Sequence, residues 1–268
     1  MSGHSWRAAA LEEANCFRCG ARGERLYSSD RFGVVRCPTC GQEFISPRLV
    51  EQGRESVYDA DYFEAGVYGY KKRFSISLWH QQTWSNGRLK LIRGLIGGEP
   101  AGKRLLEIGC AYGFFLNVAE EQGFKVSGVE FSKPAVAWAQ KNTKLDIRQG
   151  TVETVTLPEN EFDVACFWDV FEHVPDPRFF LRVITRTLKP GGIVAMSCPN
   201  FGSTAARTFR GRWWTLRPEQ HLWQFTPETL ARAFDEAGLS GVRIITSFFA
   251  PANFGRADSL VATARLKV

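Results

Sequence analysis

Two periodicities alternate along the second part of the chain, and they narrow its fold more than any other feature. From Lys103 onward, short and almost wholly apolar runs are separated by stretches with helical spacing. Residues 104–108 (RLLEI), 125–129, 145–148, 162–167 (FDVACF) and 193–197 read as strands, and 114–122, 134–141, 178–188 and 227–237 as helices. Strands apolar on both faces belong in a parallel sheet covered by helices on each side. Pro190-Gly191-Gly192 is expected to break the chain before residues 193–197, and Gly238 to cap the helix that precedes it. The last two runs, 242–249 and 259–266, have no long helix between them and should pair antiparallel. The expected fold class is α/β: a doubly wound, seven-stranded, mostly parallel sheet with an antiparallel last strand, preceded by a small N-terminal module.

Ligands of such sheets bind beyond the carboxyl ends of the strands, at the switch point. The loop Glu107-Ile108-Gly109-Cys110-Ala111-Tyr112-Gly113 follows the first strand and would sit on that edge. Its glycines let backbone approach a ligand, but the pattern departs from GxGxxG, and no Lys-Ser/Thr follows as in a P-loop. The second strand ends in Glu130. A carboxylate there is either a solvated strand end or the acceptor for both ribose hydroxyls of a nucleoside, and the preceding glycine loop favours the ribose.

The N-terminal part carries Cys16-Phe17-Arg18-Cys19-Gly20 and Cys37-Pro38-Thr39-Cys40-Gly41, separated by a hairpin-length gap with Gly33 expected near its turn. Two CxxC turns at this separation supply the four thiolates of tetrahedral Zn²⁺. A redox CxxC would sit in a βαβ context, which is missing here. With Cys16, Cys19, Cys37 and Cys40 all filled by thiolate, no position is left for a catalytic water, so the metal is expected to be structural. A segment this small lacks its own core, and loss of zinc is expected to unfold residues 12–48 and leave the rest folded. The expected division is a zinc ribbon over 12–48, a linker and helical extension over 49–100, and the α/β domain over 101–268. Within the extension, residues 71–96 have helical spacing, ended by Gly97-Gly98-Glu99-Pro100.

At 268 residues the chain can bury a sizeable core. No apolar run approaches the ~20 residues of a membrane span, and the first residues lack the apolar stretch of a signal peptide. Seven cysteines, an odd number, argue against a disulfide framework and for a reducing, cytoplasmic setting. Cys110, Cys166 and Cys198 lie in apolar stretches and read as buried small hydrophobes. The net charge of +6 permits a mild attraction to anions, and its densest run, Lys71-Lys72-Arg73, falls short of a nucleic-acid tract.

LLEIGCAYGFFL, then GVEFS, then FDVACFWDVFEHVPDP, then LKPGGIVAMSCPN resembles the ordered motif series of class I S-adenosylmethionine (SAM)-dependent methyltransferases. The resemblance runs from about Arg88 to Val268 and is nearest the small-molecule branch. A four-cysteine ribbon ahead of such a domain resembles bacterial methyltransferases of polysaccharide and natural-product pathways. The resemblance implies that Glu107, Gly109, Ala111 and Gly113 underlie the methionine part of SAM, with Cys110 and Phe114 in the same run. It implies Glu130 on the ribose, Phe131 against the adenine with Ser132 following, and Thr151, Val152 and Glu153 at the adenine edge. Thr151 stands where the family often has Asp, and Ala111 where it often has Gly. Asp169 would face the SAM amino group or the acceptor.

Methyl transfer demands alignment, and a hydroxyl, amine or carbon acid also needs a base. The chain has four histidines. His4 is in the tail and His80 on the extension. His173 follows the fourth strand and either shapes a loop or serves as base. His221 lies in the long aromatic segment 207–223 (RTFRGRWWTLRPEQHLW), which has the length of a lid or binding loop. Asp169, His173 and His221 are the candidate catalytic residues. Arg210, Arg212, Trp213 and Trp214 either meet a flat or anionic acceptor or simply pack. The expected acceptor is a small molecule. The alternatives are an RNA methyltransferase contacting RNA through ribbon residues Arg18, Arg22, Arg25, Arg31 and Arg36, and a non-catalytic scaffold subunit.

Overall fold

The computed structural model describes residues 5–58, 74–246 and 258–268. His4 and the run 71–73 lie outside them, as do residues 247–249 of the penultimate expected strand and the side chain of His80.

The N-terminal module is built on short strands. β1 (Leu11–Glu12) pairs antiparallel with β5 (Arg48–Leu49) and ties its two ends together. Between them β2 (Glu24–Ser29), β3 (Phe32–Arg36) and β4 (Glu43–Ile45) form an antiparallel meander. The hairpin turns at Asp30 and Arg31, with Asp30 at φ 54°, and Gly33 follows close behind the turn. It lies inside β3, where a Cβ would come within 2.2 Å of the Ser46 carbonyl oxygen.

A short helix α1 (Glu51–Glu55) follows, and α2 (Phe74–Ile96) leads into the α/β domain. That domain runs β6 (Arg104–Ile108), α3 (Phe114–Glu121), β7 (Lys125–Glu130), α4 (Lys133–Asn142), β8 (Asp146–Gln149), β9 (Phe162–Trp168), α5 (Pro177–Thr187) and β10 (Leu188–Pro199). After α6 (Thr204–Phe209) and the short β11 (Trp223–Gln224) come α7 (Pro227–Glu236), β12 (Leu239–Thr246) and β13 (Ser259–Leu266). The main sheet has seven strands in the order β12-β13-β10-β9-β6-β7-β8. β13 is antiparallel to both neighbours, and the pairs among β10, β9, β6, β7 and β8 are parallel. The expected α/β fold is therefore present. Pro190-Gly191-Gly192 does not break the chain: β10 passes through it, and pairing with β9 jumps from Leu188↔Phe162 to Ile193↔Val164 across a bulge.

Local chemistry starts the helices, and Gly238 stops the last as expected. Ser132 accepts from the Ala135 amide, Asp176 from Arg178 and Phe179, and Thr226 forms a capping box with Thr229. Gly238 follows α7 at φ 80°. Cys110, Cys166 and Cys198 are buried, as their apolar surroundings indicate.

β11 belongs to the ribbon's sheet. The order there is β11-β4-β3-β2, with Trp223 opposite Phe44 and Gln224 opposite Glu43. Side chains alternate across this sheet. Val35 and Phe44 face the core of the α/β domain, while Phe32, Val34 and Ile45 pack on Phe201, Trp213 and Leu216 of the 200–225 insertion. Among the described residues no helix is long and apolar enough to cross a membrane.

Candidate active site and cysteine cluster

β6 lies where the chain order of the sheet reverses, flanked by β7 and β9, and its carboxyl end opens into the glycine loop. Gly109 stands at φ 72°, where a Cβ would meet Val170 Cγ2 at 2.5 Å, so only glycine lets the loop pass the end of β9. Ala111 at φ 47° and Asp169 at φ 55° are non-glycine residues in the left-handed region. Such strain is tolerated where surrounding structure over-determines it, commonly at functional sites.

Glu130 ends β7 buried, with Oε2 accepting from the Ala111 amide and Oε1 from the Ser132 amide, each at 2.7 Å. Its carboxylate thus ties the glycine loop to the start of α4. Burial raises its pKa, and the amides of Ser132 and Ala111 oppose the rise. Gly150 donates to the Glu130 carbonyl at 2.9 Å, which brings Thr151, buried Val152 and Glu153 beside this strand end. The Thr151 hydroxyl accepts from the Glu153 amide at 3.3 Å, within its own turn. Phe131 is 38% exposed on the same rim. Phe114 packs with Tyr112 and Trp138, ring centres 6.1 and 5.6 Å away. Cys110 is buried, its sulfur 2.7 Å from where a Cβ on Gly128 would be.

Glu107 is 4% exposed, and its Oε2 has no hydrogen-bond partner among the described residues. Burial pushes its carboxyl to about 8, with Arg88 pulling down and Glu130 pushing up. Arg88 is a site residue that motif reading missed. It comes from α2, before the domain, with its guanidinium 4.5 Å from the Trp168 ring centre and 4.0 Å from Asp169 Oδ2. Its signal in the sequence is its place beside Leu89 and Ile92, both buried on α2. Asp169 is held by Ser197, whose hydroxyl donates to Oδ1 at 3.1 Å and whose carbonyl accepts from the Asp169 amide at 2.9 Å.

On the β9 side of the edge, His173 and His221 meet edge to face, ring centres 4.7 Å apart. His173 Nδ1 donates to the Gln220 carbonyl at 3.1 Å and His221 Nδ1 to the Thr215 carbonyl at 2.7 Å. A carbonyl only accepts, so each ring carries its proton on Nδ1 and keeps the Nε2 lone pair. Burial lowers both: His173 to about 4, and His221 well below the usual imidazole range with the help of its neighbour. Glu172 is buried, burial raises its carboxyl well above the usual range, and its Oε1 lies 3.8 Å from His173 Nε2. In the 207–223 segment, Trp213 is interior and donates to Asp258 at 3.3 Å, while Trp214 is 39% exposed and packs on Phe209 at 5.6 Å.

Cys16, Cys19, Cys37 and Cys40 converge with every pair of sulfurs within 4.8 Å. The measured separations are 3.4 Å for Cys16–Cys40, 3.3 Å for Cys19–Cys37 and 3.9 Å for Cys19–Cys40. Sulfurs at ~2.3 Å from a tetrahedral Zn²⁺ would be about 3.8 Å apart, so the donor set fits that ion. The two turns repeat one backbone pattern: Cys16 with Ala21 and Gly20, Cys37 with Gln42 and Gly41, at 2.8–2.9 Å.

A methyltransferase-domain family model matches residues 79–244. Two ubiquinone biosynthesis O-methyltransferases are similar: that of Idiomarina loihiensis is 29% identical over 56% of this chain and 67% of its own length, and that of Nitrobacter winogradskyi 36% identical over 52% and 57%. The chain thus spans between about half and two thirds of these relatives. In fold it is similar to a SAM-dependent methyltransferase, possible histamine N-methyltransferase, of Thermotoga maritima (TM-score 0.58, 22% identity, covering 76% of this chain and 98% of that one). It is also similar to phosphoethanolamine N-methyltransferase 2 of Haemonchus contortus in complex with SAM (TM-score 0.53, 15% identity, covering 78% and 60%). A glycine loop and an acidic strand end at the sheet's switch point, within a matched domain spanning most of the chain, place it in a family: the protein belongs to the methyltransferase-domain family and is a class I SAM-dependent methyltransferase.

Proposed function

We propose that this enzyme methylates a hydroxyl group of a small molecule, of natural-product or saccharide type, in the cytoplasm, and that its four-cysteine cluster holds a structural Zn²⁺. The observation that carries the acceptor is the edge-to-face pair of His173 and His221 at the carboxyl edge of the sheet, each ring oriented through Nδ1 by a backbone carbonyl. The similar relatives, named as O-methyltransferases, point the same way. An odd cysteine count, with four of the seven given to the metal, suits a reducing compartment.

When bound, SAM supplies a sulfonium-activated methyl group, and displacement in line leaves the protein mainly the work of alignment. Glu130 would accept from the ribose hydroxyls, with Phe131 stacked on the adenine and Ser132, Thr151, Val152 and Glu153 along its edge. Gly109, Cys110, Ala111, Gly113 and Phe114 would bring loop backbone and the start of α3 under the methionine part. Glu107 and Asp169 would meet its positive charges, and Arg88 its carboxylate. His221 or His173 would take the acceptor's proton at Nε2. Support for a small acceptor over RNA comes from the ribbon itself. Its Arg18 pairs with Glu236, Arg36 with Glu43, and Arg31 donates to the Arg7 and Ala9 carbonyls, which commits much of its positive charge within the chain.

The test is calorimetric titration with SAM, followed by radiolabelled methyl transfer into panels of phenols, catechols and saccharides, with bulk tRNA in parallel. Binding followed by label in a hydroxyl acceptor is expected. No SAM binding by zinc-loaded protein would leave the scaffold reading standing, and label only in RNA would move the acceptor to that class.

A further inference from the structure

The cysteine module does not stand apart from the active site. Phe17, between the first two cysteines, meets Trp223 edge-on at 4.9 Å, and Phe44 of β4 meets it from another side at 5.6 Å. Gln42, fully buried just after the second cysteine turn, donates from Nε2 to the Glu43 and Gln224 carbonyls at 2.8 and 2.9 Å. Ile45 donates to the Leu222 carbonyl at 2.9 Å. Trp223 then reaches across to the motif after β9: its amide donates to the Glu172 carbonyl at 3.1 Å and its Nε1 to the Val174 carbonyl at 2.8 Å. Phe225 stacks on Phe171 with ring centres 4.8 Å apart. The same stretch carries His221 and, through the Gln220 carbonyl, the hydrogen bond that orients His173. Arg18 of the first cysteine turn pairs with Glu236 of α7, and Arg178 of α5 donates to its carbonyl.

We infer that Trp223 is a positioning residue, and that the cysteine module is a strap which, through Phe17, Gln42 and Phe44, holds Trp223 and thereby fixes residues 171–174 and the two imidazoles of the acceptor side. This rests on the zinc reading above and adds the purpose of the metal to it. The physical reason is geometric. Residues 171–174 form a loop at a sheet edge, and a loop is only as fixed as what its backbone is bonded to. Here two of its carbonyls are bonded to one indole residue, and that residue is wedged between rings of the cysteine module. Zn²⁺ fixes the turn that carries Phe17 and the turn that leads into Gln42 and β4. The SAM side has its own anchors in the hydrogen bonds of Glu130 with the Ala111 and Ser132 amides. The strap therefore acts on acceptor geometry and leaves cofactor affinity alone.

The experiment uses the full-length protein with S-adenosylhomocysteine as the binding probe. Zinc content is measured first, and residue-level amide exchange is followed before and after chelation. The expected result is one zinc released per chain. Exchange at the Trp223 and Ile45 amides should accelerate about 100-fold, with β6 and β7 still protected and the probe's Kd changed less than about threefold. Unaltered protection at Trp223 in zinc-free protein would overturn the strap while leaving the metal reading intact. A chain purified without zinc would overturn the metal reading. Trp223→Phe keeps the ring packing and removes the Nε1 donor, and it serves if chelation unfolds the whole chain or no zinc is present. The zinc content and the probe's Kd should match wild type, while the imidazole resonances of His173 shift. Unshifted His173 resonances in that variant would sink the positioning role.

Discussion

The Glu130 carboxylate and the Ala111 amide are joined by a 2.7 Å hydrogen bond that spans from the end of β7 to the glycine loop after β6. One acidic side chain therefore shapes the loop, and under the proposed function it would also hold the ribose of SAM. Hydrogen bonds to a charged group contribute roughly 1.5–3 kcal/mol each. Glu130→Ala is expected to weaken SAM binding about 100-fold in calorimetry while circular dichroism stays native. Wild-type affinity in that variant would remove Glu130 from the cofactor site.

Arg88 enters the site from α2 and rests on Trp168. A cation over an indole contributes about 0.5–2 kcal/mol, and lysine does not reproduce the planar stacking. Arg88→Ala and Arg88→Lys should each lower SAM affinity roughly tenfold. If Arg88→Lys bound as wild type, a bare positive charge would suffice and the stacking would be incidental.

Glu107 makes the unliganded protein sensitive to alkali. Its folded-state value of about 8 lies above the ordinary 4.5, so at intermediate pH the native state holds a proton that the unfolded chain has lost. Stability from this group therefore falls as pH rises from about 4.5 to about 8 and levels off beyond. His173, lowered from 6.5 to about 4, has the opposite effect between those values: stability rises with pH there. The window from pH 6.5 to 8 isolates Glu107 from His173. Urea unfolding should show wild type losing stability across it and Glu107→Gln losing less, by on the order of a few kcal/mol. Parallel pH profiles would mean that Glu107 is ionised in the native state. Because the cationic cofactor favours the carboxylate, SAM binding at pH 7 should also release protons, read as a dependence of binding heat on buffer ionisation enthalpy.

His221 is oriented by the Thr215 carbonyl at 2.7 Å. General-base catalysis contributes typically 10²–10⁴-fold. Once an acceptor is in hand, His221→Ala should slow turnover at least about 100-fold while SAM affinity stays within about threefold. Turnover unchanged in His221→Ala and lost in His173→Ala would assign the base to His173.

The sequence by itself determined the elements and their order. Apolar runs of strand length, Gly238 at a helix end, and the glycine loop between Glu107 and Gly113 are local signals, because each is set by the steric and hydrogen-bonding needs of a few neighbouring residues. The paired CxxC turns are local in the same way, and so is the burial of Cys110, Cys166 and Cys198. The Pro190-Gly191-Gly192 run was harder to read, because a bulge within a strand and a break before one look alike in sequence. Tertiary structure alone decided which distant residues meet. Arg88 reaches Trp168 because α2 packs beside the sheet. Glu107 is held near 8 because the surrounding core excludes water. His173 finds His221, 48 positions later in the chain, because the 200–225 insertion folds back under the pull of β4 pairing with β11. Trp213 and Trp214 are adjacent in sequence, yet one is interior and the other faces solvent, a choice made by the ribbon's second face. Such pairings depend on packing between segments far apart in the chain, and no periodicity within either segment records its partner.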